Sequence, residues 1–263
     1  MPKSKNTHGE SCVTALKQYN FEEIITTHID TTKAILKKHT WADQKYWYFD
    51  LNAGPGKYTS LKYGRTEETS PIIFLKKAMI KKIPSNVILY ENNKKSYASL
   101  LNSISTLNIP NRLPLDISTH NSSNERLMRY YTMPTEKSFG LIYHDPNGRP
   151  NFNLLSRFFK INHPRIDLLI NCNCNITKRS AKVHKAPRLH QYLKTINKQH
   201  WLIRQPYKSD GWQFSMIIGS NWPNFPKFKQ LGFLDKNSPE GQELFKKLIF
   251  SSDDPRQTDN RRY

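Results

Sequence analysis

An α/β fold built on a mostly parallel sheet, with helices on both faces, is predicted by three features of the sequence. Apolar runs of strand length alternate with helical patterns from residue 21 to about residue 200. Near the C-terminal end, HWLIRQP and WQFSMIIGSN flank YKSDG, which reads as a hairpin and puts an antiparallel pair at that end of the sheet. No internal repeat and no long low-complexity linker divides the 263 residues. A single domain over 19–250 is therefore expected, preceded by a flexible basic segment 1–18 and followed by a flexible tail 251–263.

The elements follow in order. Phe21, Ile24, Ile25, Ile29, Thr32, Ile35 and Leu36 recur every three or four residues, the stripe of a helix with one buried face. Asn20 is its expected cap, with Glu22 and Glu23 in the first turn and Lys37, Lys38 and His39 in the last, each sign complementing the helix dipole. KYWYFD then reads as a buried strand that stops at the small-residue turn LNAGPG, and residues 59–70 as a polar excursion. A helix over 71–82, a strand in SNVILYEN, a helix over 94–107 and a strand RLPLDIS (112–118) come next. A helix or loop near 126–131 leads to the strand of SFGLIYHDPNG, a helix over 151–160 and the strand RIDLLINCN. The basic section 178–200 reads as a loop entering a short helix over 189–196, and SPEGQELFKKLIF holds one more helix.

Charge narrows the partners. With 41 Lys and Arg against 21 Asp and Glu, the chain carries a formal charge of +20, which points to a polyanion. Nucleic acid leads, because cations that meet phosphates release condensed counterions. No long amphipathic segment combines an apolar face with this charge, which disfavours a membrane surface. A wholly disordered polybasic chain is excluded by a hydrophobic content of 37%, enough for a core. No run approaches the ~20 apolar residues of a membrane helix, and the polar start MPKSKNTHGE lacks a signal-peptide core, so a cytoplasmic protein is expected. Cys12, Cys172 and Cys174 are too few and too closely spaced for a zinc knuckle or a disulfide framework and read as free thiols, the last two as small buried side chains; no metal is expected.

In an open parallel sheet, ligands bind beyond the carboxyl ends of the strands. The polar residues that follow the apolar runs are Asp50 with the loop Asn52-Ala53-Gly54-Pro55-Gly56, then Glu91, Asp116 and Asp145. The glycines would let backbone approach a bulky ligand, Glu91 can accept both hydroxyls of a ribose, and Asp116 is placed to meet an adenine amino group or to order its loop. The glycine loop is not a P-loop, since no G-K-[ST] follows, and it does not complete G-x-G-x-x-G. A purely structural turn would account for the two glycines, but not for the acidic strand ends.

FDLNAGPG, YEN, LPLDIS and IYHDPNG, in that order, resemble the motifs of class I methyltransferases that use S-adenosylmethionine, over roughly residues 20–220. Within that class the chain looks like phage or mobile-element adenine-N6 methyltransferases of DNA or RNA and, more distantly, the three-Cys-motif partner family. The resemblance implies a Rossmann-like fold with a seven-stranded sheet whose last strand is inserted antiparallel. It implies that Asp50, Asn52, Ala53, Gly54 and Gly56 surround the methionine part of the cofactor, that Glu91 binds its ribose and Asp116 its adenine edge, and that Asp145, Pro146 and Asn147 form the catalytic turn.

Such chemistry would be direct transfer of a sulfonium methyl to an exocyclic amine, with Asp145 and the Pro146 carbonyl accepting hydrogen bonds from that amine. Adenine enzymes of this type usually carry D/N-P-P followed by an aromatic residue at the turn; here the turn is DPNG, and Phe152 is the expected substitute platform for an extruded base. Lys178, Arg179, Lys182, Lys185, Arg188 and Arg204 are expected to line the nucleic-acid channel. The expected function is adenine-N6 methylation of DNA, favoured over RNA, with a short or relaxed sequence preference. The alternatives are an RNA methyltransferase, a nucleic-acid-binding protein that has lost catalysis, and, at a further remove, a methyltransferase for a protein or small molecule.

Overall fold

The computed structural model describes residues 13–59, 66–123, 135–146, 148–160, 165–183, 189–209, 212–223 and 226–249. The chain opens with helix α1 (Val13–Lys38), which starts well before Asn20. Asn20 is buried within it, so the apolar stripe that begins at Phe21 extends backward instead of being capped there, and residues 13–18 of the expected flexible segment are helical. The rest of that segment, the 126–131 helix and the 251–263 tail lie outside the described residues.

Strand β1 (Tyr46–Asp50) feeds the glycine loop, which leads into a small hairpin of β2 (Lys57–Thr59) and β3 (Thr66–Glu68) where a structureless excursion was expected. Helix α2 (Ser70–Lys81) follows, with Pro71 in the first turn and Lys82 in the left-handed region at its end. Strand β4 (Ser85–Tyr90) and helix α3 (Lys94–Ser105) come next, the helix capped by Asn93, whose side chain accepts from Lys95 and Ser96 N–H. Strand β5 (Leu115–His120), β6 (Phe139–His144), α4 (Phe152–Lys160) and β7 (Ile166–Asn173) complete the parallel part.

Beyond it lie α5 (Cys174–Val183), α6 (Leu189–Thr195), β8 (His200–Arg204), β9 (Tyr207–Ser209), β10 (Trp212–Ser220), α7 (Pro226–Gln230), β11 (Phe233–Asp235) and α8 (Pro239–Ile249). The backbone of 174–183 is thus a helix, where the sequence suggested a loop from 178 onward. A β-rich apolar run ends at Cys174, and Asn173 accepts from Ile176 N–H as the helix cap.

The strands run β11-β8-β10-β7-β6-β1-β4-β5, with β9 paired to β10. From β7 to β5 all neighbours are parallel, whereas β10 is antiparallel to both β7 and β8. Strand order reverses at β1, with β4 on one side and β6 on the other. This is the expected α/β Rossmann-like sheet with an inserted antiparallel strand, enlarged by β9 and by β11 at the edge beyond β8.

Period-two alternation sorts the core. Tyr46, Tyr48, Val87, Leu89, Leu141 and Tyr143 face α1 and α2, while Phe49, Ile88, Ile142, Leu168 and Ile170 face α4, α6 and α8. Phe21 of α1 packs its ring 4.5 Å from that of Tyr143. Phe21→Ala should lower stability by about 3–5 kcal/mol, read as a fall in the urea midpoint at unchanged slope, because the cavity would open directly under the β1–β6 seam.

Candidate active site

The carboxyl ends of β1, β4 and β6 meet at the reversal of strand order, and three of the four acidic strand ends converge there. Asp50 is fully buried. Its Oδ2 accepts from Tyr48 Oη at 2.9 Å and Ser70 Oγ at 2.6 Å, and its Oδ1 from Asn52 N at 3.0 Å. Burial outweighs these bonds and raises its pKa to about 6, with the neighbouring charge of Asp145 adding to the rise. Asp50 therefore shapes the glycine loop from beneath and does not face the crevice.

The loop itself is tied on three sides. Leu51 N donates to Tyr143 O, Ala53 N to Tyr90 O, and Thr69 N to Gly56 O. Gly54 (φ 69°) donates its N–H to Glu91 Oε2 at 2.9 Å, and Glu91 Oε1 accepts from Asn93 N at 2.7 Å. Gly56 (φ 79°) has a packing reason as well: a Cβ there would lie 2.6 Å from Ser103 Cβ, so this glycine lets α3 close onto the loop. Asp116 corrects an expectation. Strand β5 spans 115–120, not 112–118, so Asp116 pairs in register with Asn86 near the amino end, at the edge away from the crevice. It is exposed and bridges Lys45 at 2.6 Å. His120 and Asn121 stand where Asp116 was expected; His120 stacks on Tyr90 with ring centroids 4.6 Å apart.

At the end of β6, His144 is buried and its pKa falls to about 4 because burial disfavours the imidazolium, although Asp145 opposes this. Its Nε2 accepts from Asn151 N at 3.3 Å, which leaves Nδ1–H to donate to Asn52 Oδ1 at 2.8 Å. A neutral His144 thus clamps the glycine loop to the turn after β6.

Asp145 is held at both oxygens. Oδ1 accepts from Asn171 Nδ2 at 2.8 Å, and Oδ2 from Tyr143 Oη at 3.2 Å and Lys17 Nζ at 2.8 Å. Asn171 comes from β7 and Lys17 from α1. Neither was evident as a site residue, yet Lys17 lies one helical turn before Phe21, and a lysine extending a buried stripe is itself a signal. Pro146 is partly exposed beside Asp145, while Asn147 lies outside the described residues.

Phe152 is a second correction. It is wholly buried in the first turn of α4 and stacks on Tyr192 at 4.6 Å, so it belongs to the core and offers no platform to a base. Of the expected channel residues, Arg179 is exposed on α5, whose N-terminus follows β7 at the same sheet edge. Arg204, at the end of β8, reaches Glu23 of α1 at 3.7 Å. Lys178 and Lys182 fall on the α5 backbone with undescribed side chains, and Lys185 and Arg188 lie outside the described residues. Cys172 and Cys174 are buried, as expected. Among the described residues no cluster of His, Cys, Asp and Glu could hold a metal ion, and no helix is long and apolar enough to cross a membrane.

Comparison with known proteins finds no matching family model and no matching curated protein. Among solved structures, protein LPL1258 of Legionella pneumophila superposes with a TM-score of 0.52 at 14% identity, covering 88% of this chain and 93% of its own. Trm1 of Pyrococcus horikoshii, solved with S-adenosyl-L-methionine, gives a TM-score of 0.45 at 14% identity over 84% of this chain and 58% of its own. An rRNA methylase of Streptococcus thermophilus gives 0.40 at 9% identity over 78% and 97%. The Legionella likeness, together with the strand order, gives the fold: a class I methyltransferase-like Rossmann architecture.

Asp50 and His144 titrate with opposite effect. Asp50 stays protonated in the fold up to about pH 6, so its contribution to stability is present below pH 3.8 and lost as pH rises through 6. His144 stays neutral down to about pH 4, so its contribution is present above pH 6.5 and lost as pH falls through 4. Each amounts to about 3 kcal/mol, and the two nearly cancel between these limits. Asp50→Asn should expose the histidine alone: its denaturation free energy should climb by about 3 kcal/mol from pH 4 to pH 6.5, where the parent is nearly flat.

Proposed function

We propose that the protein is an S-adenosylmethionine-dependent methyltransferase that acts on an exocyclic amine of nucleic acid, adenine N6 being the first target to examine. The observation that carries this reading is the convergence of the Gly54 loop, Glu91 and the Asp145-Pro146 turn on one crevice at the reversal of a class I sheet. The residues fit the cofactor. Glu91 uses one lone pair of each oxygen on Gly54 and Asn93 and keeps the others for ribose hydroxyls. Gly54 places no side chain between the loop and the crevice, and the stacked Tyr90 and His120 give the neighbouring strand ends a flat flank.

Bound there, S-adenosylmethionine supplies an electrophilic methyl on a sulfonium, so no protein nucleophile is needed. Asp145 accepts an N–H of the incoming amine and steadies its growing positive charge; Asn171 and Tyr143 fix the carboxylate for that role. Lys17 already sets an ammonium against the same oxygen, which supports a nitrogen donor at that position. That contact yields when an amine arrives. Pro146, next to Asp145, brings a carbonyl with no competing donor of its own. The charge of +20, with Arg179 exposed beyond β7, supports a polyanionic substrate.

A second reading has its own support: Lys17 and Asn171 between them occupy both oxygens of Asp145, as they would in a nucleic-acid binder without turnover. Incubation with labelled cofactor and separate RNA and DNA pools, followed by nucleoside digestion, decides between them. Label in either pool is expected, and cofactor binding with an unlabelled RNA and DNA would end the catalytic reading. Asp145→Asn should cut turnover about 10²-fold or more while changing the cofactor dissociation constant less than about threefold, as calorimetry beside single-turnover assays will read. Binding of either polymer should weaken at least about tenfold between ~50 and ~200 mM salt, measured by fluorescence anisotropy.

A further inference from the structure

A cavity of about 270 Å³ lies at the opposite, amino edge of the sheet, walled by α1, the starts of β6 and β7, the end of β10 and α7. Strand β6 spans the distance between the two sites: Phe139 lines this cavity and Asp145 follows the other end, about 20 Å away. Nothing in the methyl-transfer reading uses it.

Its walls combine an apolar lining with two opposite charges. Ile35, Phe139, Trp222 and Phe228 supply the apolar part. Asp167 is held from below: its Oδ2 lies 3.1 Å from His28 Nε2, and His28 Nδ1 lies 2.7 Å from Tyr46 Oη. Oδ1 has no hydrogen-bond partner among the described residues. Lys198, whose pKa burial lowers to about 8 against the opposing charge of Asp167, keeps its ammonium over the Phe159 ring at 4.4 Å. Arg165 lies over Trp41 and Phe139, at 4.8 and 5.8 Å, and donates to the Glu136 carbonyl, but pairs with no carboxylate among the described residues.

Asp167 and Arg165 are two residues apart at the start of β7, so their Cα atoms are only about 7 Å from each other. They do not pair with each other. A carboxylate and a guanidinium so close together, each with bonding capacity left over an apolar wall, match a ligand whose ammonium and carboxylate sit on a single carbon. In a nucleotide, ribose holds the base amine and the phosphate farther apart, and a residue within a peptide has neither charge. We infer that this cavity binds a free α-amino acid with a large apolar side chain: its ammonium on Asp167, its carboxylate on Arg165, and its side chain among Ile35, Phe139 and Phe228.

Calorimetric titration of the intact protein with L-phenylalanine and L-leucine tests this, alongside 3-phenylpropionate, 2-phenylethylamine, N-acetylphenylalanine and guanosine monophosphate. Saturable binding of at least one amino acid is expected, with the three analogues that lack a charge weakened about tenfold or more. Asp167→Asn and Arg165→Met should each weaken the amino acid by a similar factor, whereas Asp50→Asn at the other edge should leave it unchanged. The analogue series on the parent protein stands even if a variant fails to fold. Binding of neither amino acid at millimolar concentration, equal binding of the deaminated analogue, tighter binding of the nucleotide, or indifference to both variants would overturn the assignment.

Discussion

The Asp50 carboxylate, buried at the end of the central strand with three donors around it, is the constraint on which the crevice depends. It joins β1 through Tyr48, the glycine loop through Asn52 N–H, and the first residue of α2 through Ser70. An unpaired charge at that depth would be intolerable, and three bonds to a shared proton-poised carboxyl are the alternative the fold has taken. With the loop pinned from below, Gly54 can offer its N–H to Glu91 and Asn52 its side-chain oxygen to His144. The strands on both sides of β1 are thereby tied to one turn.

The sequence revealed most where periodicity was strong. The α1 stripe and the strands of KYWYFD, SNVILY, FGLIYH and IDLLINCN stand within a few residues of their expected places, because each buries a clear face, and β8 and β10 pair antiparallel as expected, although Tyr207–Ser209 of the expected turn form β9. It misled where the pattern was half polar. LPLDISTH alternates weakly, and its true span is shifted toward the C-terminus, so Asp116 moved from the expected carboxyl end to the amino end. β11 has only three residues and a single buried Phe233, too short to announce itself.

Site residues divide along the same line. Acids at the end of long apolar runs, Asp50, Glu91 and Asp145, were legible, since a charge that closes such a run marks the carboxyl edge of the sheet. Asn171 and Lys17 were not, because one sits inside an apolar run and the other outside the recognised stripe; only the packing of α1 and β7 brings them to Asp145. Phe152 shows the reverse error. Proximity to the DPNG turn in sequence suggested a surface role, but the first turn of α4 points it into the core, where Tyr192 stacks on it.

Helix α1 touches both edges of the sheet. Lys17 near its start holds Asp145, and His28, eleven residues and about 16 Å further along, holds Asp167. Between these contacts Phe21, Ile24 and Ile25 bury the same helix in the core, so one unbroken element backs the acidic residue at either end of the parallel strands.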